Sequence, residues 1–375
     1  MLRSSSSPGS IGTAFTWESA HADILSVVES GPASRDPGDS TRIEGYASLS
    51  LPDRSVAENR TVRCPIVFPG EAREGEVYDR VCVVFHGLNE RSWDKYWEWA
   101  RAIADRSRCA TVLFPIAFHM DRSPPSWANF GMMRGVSKAR IARYPGLRQS
   151  SMVNAAISER LDENPGRFYI SGLMAARDLG DLIASIRSGK VAGIGPEARL
   201  GFFGYSIGAF FLQCLCLAER RFADSGRRFL FCGGPHLSAM TPVSKYIIDS
   251  RAHERIMEFW VTDLGTQLRR DEKLAALVDT PEGRAYCAMA DPRHPQGDRR
   301  SVFSDGATRV AGLASDTVMP MAAVLDFFRG TDVEPTIFDL PSACTHVAPF
   351  DALGGEAADD AFERLFDAVA EHLFA

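Results

Sequence analysis

Residues 199–218 read RLGFFGYSIGAFFLQCLCLA, and the fold follows from how that run divides. Arg199 to Ser206 is short, aromatic and bounded by glycine, as a strand should be. Ile207 to Ala218 is apolar on every side, and a helix of that kind has no face for water, so it must lie buried against the sheet. At the junction stands Gly204-Tyr205-Ser206-Ile207-Gly208, a GxSxG string. The string is common by chance; its position gives it weight. A sharp strand-to-helix turn holds Ser206 in a strained backbone conformation and lifts its hydroxyl above the sheet. Gly204 and Gly208 keep side chains out of the strand–helix contact.

Working outward, TVRCPIVF from Thr61, RVCVVFHG from Arg80 and CATVLFPIAF from Cys109 read as strands. So do RRFLFCGG from Arg227, ATRVAGLAS from Ala307 and EPTIFDL from Glu334. Helical spacing runs through Trp93 to Ser107, through Arg167 to Arg187 (Leu179, Leu182, Ile183, Ile186), through MAAVLDFF from Met321, and from Asp359 to Leu373. Strands alternating with helices predict an α/β fold, a mainly parallel sheet flanked by helices. Residues 1–60, rich in Ser, Gly and Pro at the start, read as a loose N-terminal arm and lead-in to a domain over 61–375. About 119–165 and 236–300 are too long for ordinary connections and read as helical cap insertions over the strand ends.

Composition narrows the function. The chain has 375 residues, 45% hydrophobic and 24% charged, the mix of a globular protein that buries a core. Lys+Arg 42 against Asp+Glu 48 leaves −6, with no basic surplus for nucleic acid. No apolar run reaches membrane-spanning length and the N-terminus lacks a signal-like apolar core, so a cytoplasmic protein is expected. Cys82, Cys214, Cys216 and Cys232 lie in apolar runs, no paired CxxC units occur, and the histidines lack metal-ligand spacing; neither metal nor cofactor is expected.

A serine hydroxyl needs a base, and the base an orienting acid. GLASDTVMP puts Asp316 just after a predicted strand, and SACTHVAPF puts His346 after the last one. Asp291 and Asp339 are less well placed. Asp316 could alternatively cap the helix that begins near Met319. VVFHGLNE puts His86 and Gly87 after a strand, where a tight loop can aim the N–H of Leu88 at the site beside that of Ile207, a two-donor oxyanion hole. His86 reads as structural, and so does the cluster of Trp93, Tyr96, Trp97 and Trp99. Phe130, Met132 and Met133 in the first insertion are candidates for an apolar substrate lining.

These residues together resemble the α/β-hydrolase superfamily over roughly residues 60–375. The matching positions are strand–His86-Gly87, the elbow Gly204–Gly208 with Tyr205, Asp316 in G-x-x-x-D-x-x-x-P, and His346 before the closing helix. FHGLNERSWDKY and LFPIAFHMDR are similar to a bacterial branch of it. His86 is followed by a single glycine, so the donor arrangement of the His-Gly-Gly-Gly esterases does not carry over. The resemblance implies a serine hydrolase cleaving carboxylic esters, with Ser206, His346 and Asp316 as its triad and a small-molecule or lipid-like substrate. An acyl thioesterase or a catalytically silent binding protein on the same fold are the alternatives.

Overall fold

The computed structural model describes residues 11–29, 44–73, 75–294 and 299–375. Its strands are β1 (Ile11–Glu18), β2 (Thr61–Val67), β3 (Tyr78–Phe85), β4 (Ala110–Phe114), β5 (Ile194–Tyr205), β6 (Gly226–Phe231), β7 (Thr308–Leu313) and β8 (Thr336–Phe338). They form one sheet in the order β1-β2-β4-β3-β5-β6-β7-β8. β2 is antiparallel to both neighbours, and β4 through β8 pair in parallel. This is the mainly parallel, helix-flanked α/β-hydrolase arrangement.

Its inner strands are apolar on both faces because both are covered. Val81, Val83 and Phe85 of β3 point into one core, while Cys82 and Val84 point into the other. Helices Gly166–Arg187, Ile207–Ala218 and Met321–Phe328 cover the first face. Helices Asp94–Ser107 and Gly355–Leu373 cover the second. Register sets the functional edge: Phe85 pairs with Gly204, Tyr205 with Phe231, and Phe231 with Ala311. The loops leaving β3, β5, β6 and β7 therefore emerge side by side, where parallel sheets build sites.

The loose-arm reading of residues 1–60 is corrected for its described part; residues 1–10 and 30–43 lie outside the described residues. β1 pairs with β2 through Phe15–Cys64 and Trp17–Val62, and Phe15 and Trp17, two residues apart, pack on the core. Ile24, Leu25, Val27 and Val28 are core residues too. Asp53, fully buried, accepts from Arg160 and Arg167. A period-two alternation of only two aromatics carries little weight against Ser/Gly/Pro composition, but an open sheet edge rewards it.

The long insertions fold into helices, Phe130–Arg143 and Ala155–Glu163 in the first, and Ser250–Met257 and Pro281–Ala290 among those of the second. One buried guanidinium ties them together. Arg140 Nε and Nη2 donate to Asp249 at 2.7 and 3.0 Å, and Nη1 donates to Asp162 at 3.2 Å and to Glu159. Ion pairing and hydrogen bonds to these acids outweigh desolvation and hold the Arg140 charge firmly.

Candidate active site

Ser206 sits at φ 57° and ψ −120°, a conformation that costs of order 1–3 kcal/mol and persists only where surroundings enforce it. Here they do. The Ser206 N–H donates to Phe231 O at 3.0 Å. A Cβ on Gly208 would lie 2.6 Å from Phe85 O, and one on Gly204 would lie 2.8 Å from the Ala209 backbone. Strand and helix touch so closely that only glycine fits.

Across from the elbow, Ser206 Oγ lies 2.8 Å from His346 Nε2, and His346 Nδ1 lies 2.7 Å from Asp316 Oδ2. The carboxylate accepts from Nδ1–H, which leaves Nε2 as acceptor for the serine hydroxyl. Asp316 Oδ1 accepts the N–H groups of Val318 and Met319, each at 2.8 Å. Those N–H groups belong to the loop before Met321–Phe328, a helix whose N-cap is Pro320 with no side-chain bond. Asp316 therefore braces that loop with one oxygen and faces His346 with the other, and does not cap the helix. All three residues are buried, so these bonds act in a low-dielectric setting. Asp291 instead pairs with Arg293.

Two supports hold the histidine loop. Tyr205 O–H donates to His346 O, and its ring stacks on the imidazole at 5.6 Å. Lys95 Nζ lies 4.6 Å over the Tyr205 ring, donates to Val347 O at 3.3 Å, and pairs with Glu90 at 2.5 Å. Glu90 also accepts from Tyr96 O–H at 3.2 Å, and that hydroxyl accepts the Gly87 N–H at 2.9 Å. One network therefore joins the loop after β3 to the histidine loop. Trp93 and Trp99 pack beneath it, Trp99 meeting the Tyr205 ring edge-on at 5.1 Å.

His86 is structural in this arrangement. Its Nε2 accepts the Ile116 N–H at 2.9 Å and Nδ1–H donates to Gly87 O at 2.8 Å, while burial keeps it neutral by pushing its pKa well down. Leu88 follows, lining the pocket at Ser206 with Ile207. Neither the Leu88 nor the Ile207 N–H has an acceptor among the described residues. The second is an open first-turn donor at the positive end of a helix. Apart from His253, whose Nε2 is buried without a partner among the described residues, the remaining pocket wall is apolar, including Phe168, Leu237, Met240, Ile248 and Met319. A second apolar cavity shares Leu88, Phe168 and Ile207 and extends to Phe210 and Tyr286.

Phe130, Met132 and Met133 do not line these cavities, which corrects the sequence expectation. Phe130 is exposed. Met133 is buried with Tyr46, Leu49 and Trp127, and Met132 packs on the same cluster, because that helix leans on Glu44–Leu49. Phe168 and Tyr286 take the lining role; neither was singled out in the sequence. Glu90, Lys95 and Tyr205 O–H carried no signal of their network role.

Two clusters among the described residues have donor atoms close enough for a cation: Cys232, Asp316 and His346, and His21, Asp178 and Asp181. In the first, His346 already spans Ser206 and Asp316, and burial pushes the Cys232 thiol well up, against the thiolate that a metal requires. In the second, Asp178 faces Arg122 and Ser19, and His21 bonds Asp181. No helix among the described residues is long and apolar enough to cross a membrane.

The model of a family described as "Family of unknown function (DUF6051)" matches residues 13–374. No curated protein matches the sequence. Among solved structures, carboxyl esterase 2 of the mycorrhizal fungus Tuber melanosporum aligns over 84% of this chain and 83% of its own, with TM-score 0.46 and 11% identity. An S-formylglutathione hydrolase from Agrobacterium tumefaciens aligns over 84% and 90%, with TM-score 0.45 and 13% identity. An acylaminoacyl peptidase of Pyrococcus horikoshii aligns over 84% of this chain and 40% of its own, with TM-score 0.40 and 13% identity.

Proposed function

We propose that this chain, which belongs to the DUF6051 family, is a serine hydrolase that cleaves carboxylic esters through an acyl-enzyme on Ser206. The observation that carries the reading is the unbroken line from Ser206 Oγ through His346 to Asp316, with contacts of 2.8 and 2.7 Å, starting from a serine held at positive φ.

The chemistry follows from those contacts. Ser206 Oγ attacks the acyl carbon as His346 Nε2 takes its proton, and Asp316 steadies the imidazolium. The carbonyl oxygen, now an oxyanion, accepts from the Leu88 and Ile207 N–H groups. The C–O bond to the leaving alcohol breaks as His346 returns the proton to it. Water then repeats the sequence on the acyl-enzyme: His346 takes its proton, the acid is released, and Ser206 recovers its hydrogen. The apolar walls suit an apolar portion of the acyl group.

Labelling with a fluorophosphonate probe tests the reading. A single adduct that disappears in Ser206→Ala, together with p-nitrophenyl ester turnover that falls by ~10⁴ or more in the same variant, is the expected result. An intact Ser206 that takes no probe would favour a silent binding protein. Running acyl-CoA thioesters beside the esters separates the thioesterase alternative.

A further inference from the structure

Beyond Leu88, away from the serine, the site wall holds a cation that the protein itself does not neutralise. Arg91 follows Leu88 by three residues and lines a cavity with His119, Trp127 and Arg160. That cavity shares Leu88 and Phe168 with the pocket at Ser206. Three arginines reach it. Arg160 pairs with Asp53, and Arg167 pairs with Asp53 and Glu163. Arg91 has no carboxylate partner among the described residues. Its Nη2 donates to Asn89 Oδ1 at 3.3 Å, Nη1 reaches Phe118 O at 3.5 Å, and Nε is buried with no acceptor.

Buried arginines elsewhere in the chain are matched: Arg122 by Asp178, Arg140 by three carboxylates, Arg228 by Asp305. Desolvation with no acid nearby pushes the Arg91 guanidinium down to about 10. On the same wall, His119 Nδ1 meets Ala117 O at 3.0 Å while its Nε2 is buried without a partner. A plain acyl chain in this space would supply no acceptor to the guanidinium and leave its burial uncompensated. An anion would satisfy the guanidinium outright.

We propose that this cavity is an anion subsite in which Arg91 holds a carboxylate carried by the substrate. The inference rests on the hydrolase reading and narrows it to esters that bear a second, ionised carboxyl group. Leu88 and Phe168 line both this cavity and the pocket at Ser206, so an ester carbonyl at the Leu88 N–H and a carboxylate at Arg91 can belong to one molecule.

The test compares three esters on wild type, Arg91→Met and Arg91→Lys. They are p-nitrophenyl hexanoate, the p-nitrophenyl half-ester of adipic acid (charge on the acyl side) and 4-carboxyphenyl hexanoate (charge on the leaving group). One of the charged esters is expected to exceed the neutral ester in kcat/KM by roughly tenfold or more. Arg91→Met should erase that ratio, and Arg91→Lys should retain part of it. A wild-type preference for the neutral ester over both charged ones overturns the subsite and leaves the hydrolase reading standing. Binding is read separately by calorimetry of monomethyl adipate against Ser206→Ala and the double variant Ser206→Ala/Arg91→Met. Uptake that depends on Arg91 supports the subsite even if no ester turns over; equal uptake by both proteins, or none, overturns it.

Discussion

Asp316 divides its two oxygens between structure and the histidine, and this division makes it an informative residue to change. In Asp316→Asn, the amide oxygen can keep the Val318 and Met319 N–H groups that Oδ1 holds now. The amide nitrogen then faces His346 Nδ1, which must become an acceptor, so the ring proton moves to Nε2 and the Ser206 hydroxyl loses its base. We expect kcat on p-nitrophenyl esters to fall by ~10⁴ while the thermal midpoint, followed by circular dichroism, stays nearly constant. A comparable loss of both would mean that the carboxylate serves mainly the loop. Ser206, Asp316 and His346 were legible because each follows a strand and so belongs to one rim. Arg91 and Lys95 were not legible, because a surface-type residue in a loop reveals its partner, or the lack of one, only once distant segments have met.

At the scale of elements, the same residue type has opposite consequences in two helices. Gly180, within Gly166–Arg187, is exposed and an added methyl meets nothing within 4 Å. Gly180→Ala should therefore raise stability by about 0.5–1 kcal/mol. Gly208→Ala would drive a methyl into Phe85 O, separate β3 from the elbow helix, and cost several kcal/mol along with activity. Urea midpoints of the two variants should move in opposite directions. The Arg140 cluster supplies a second contrast. Arg140→Met leaves Asp249, Glu159 and Asp162 buried with less compensation, and about 3–5 kcal/mol should be lost. Limited proteolysis should then cut first within the two insertions that the guanidinium joins; cleavage spread evenly over the chain would argue against that role. Helix Phe130–Arg143 shows where element-level reading stopped. Its apolar residues Phe130, Met132 and Met133 were expected to line the substrate space, but Met133 and Val136 turn to Tyr46 and Leu49, and no pattern within the helix could name that neighbour.

For the whole molecule, buried neutral histidines set the acid response. His119 is pushed down to about 4 and His86 well below its usual value, both chiefly by burial. Unfolded, each takes a proton near 6.5; folded, His119 does so only near 4. Between those values the unfolded chain binds more protons, so stability present at neutral pH is lost as pH falls from about 6.5 toward 4. His119 alone accounts for roughly 3 kcal/mol of that loss by pH 4. Urea midpoints at pH 7 and pH 4.5 should differ less in His119→Gln than in wild type. An unchanged difference would shift the effect to other groups.

Local pattern settled much in advance: the alternation of strands and helices, the glycine-flanked turn at Ser206, and the placement of Ser206, Asp316 and His346 each beyond a strand. These features were readable because backbone geometry and apolar periodicity are properties of neighbouring residues. Folding in three dimensions added the edge strand β1, the true lining of the cavities, and a guanidinium lacking an acid. Each of these depends on which groups, often more than a hundred positions apart, come into contact, and desolvation and pairing acquire their energies only at that contact.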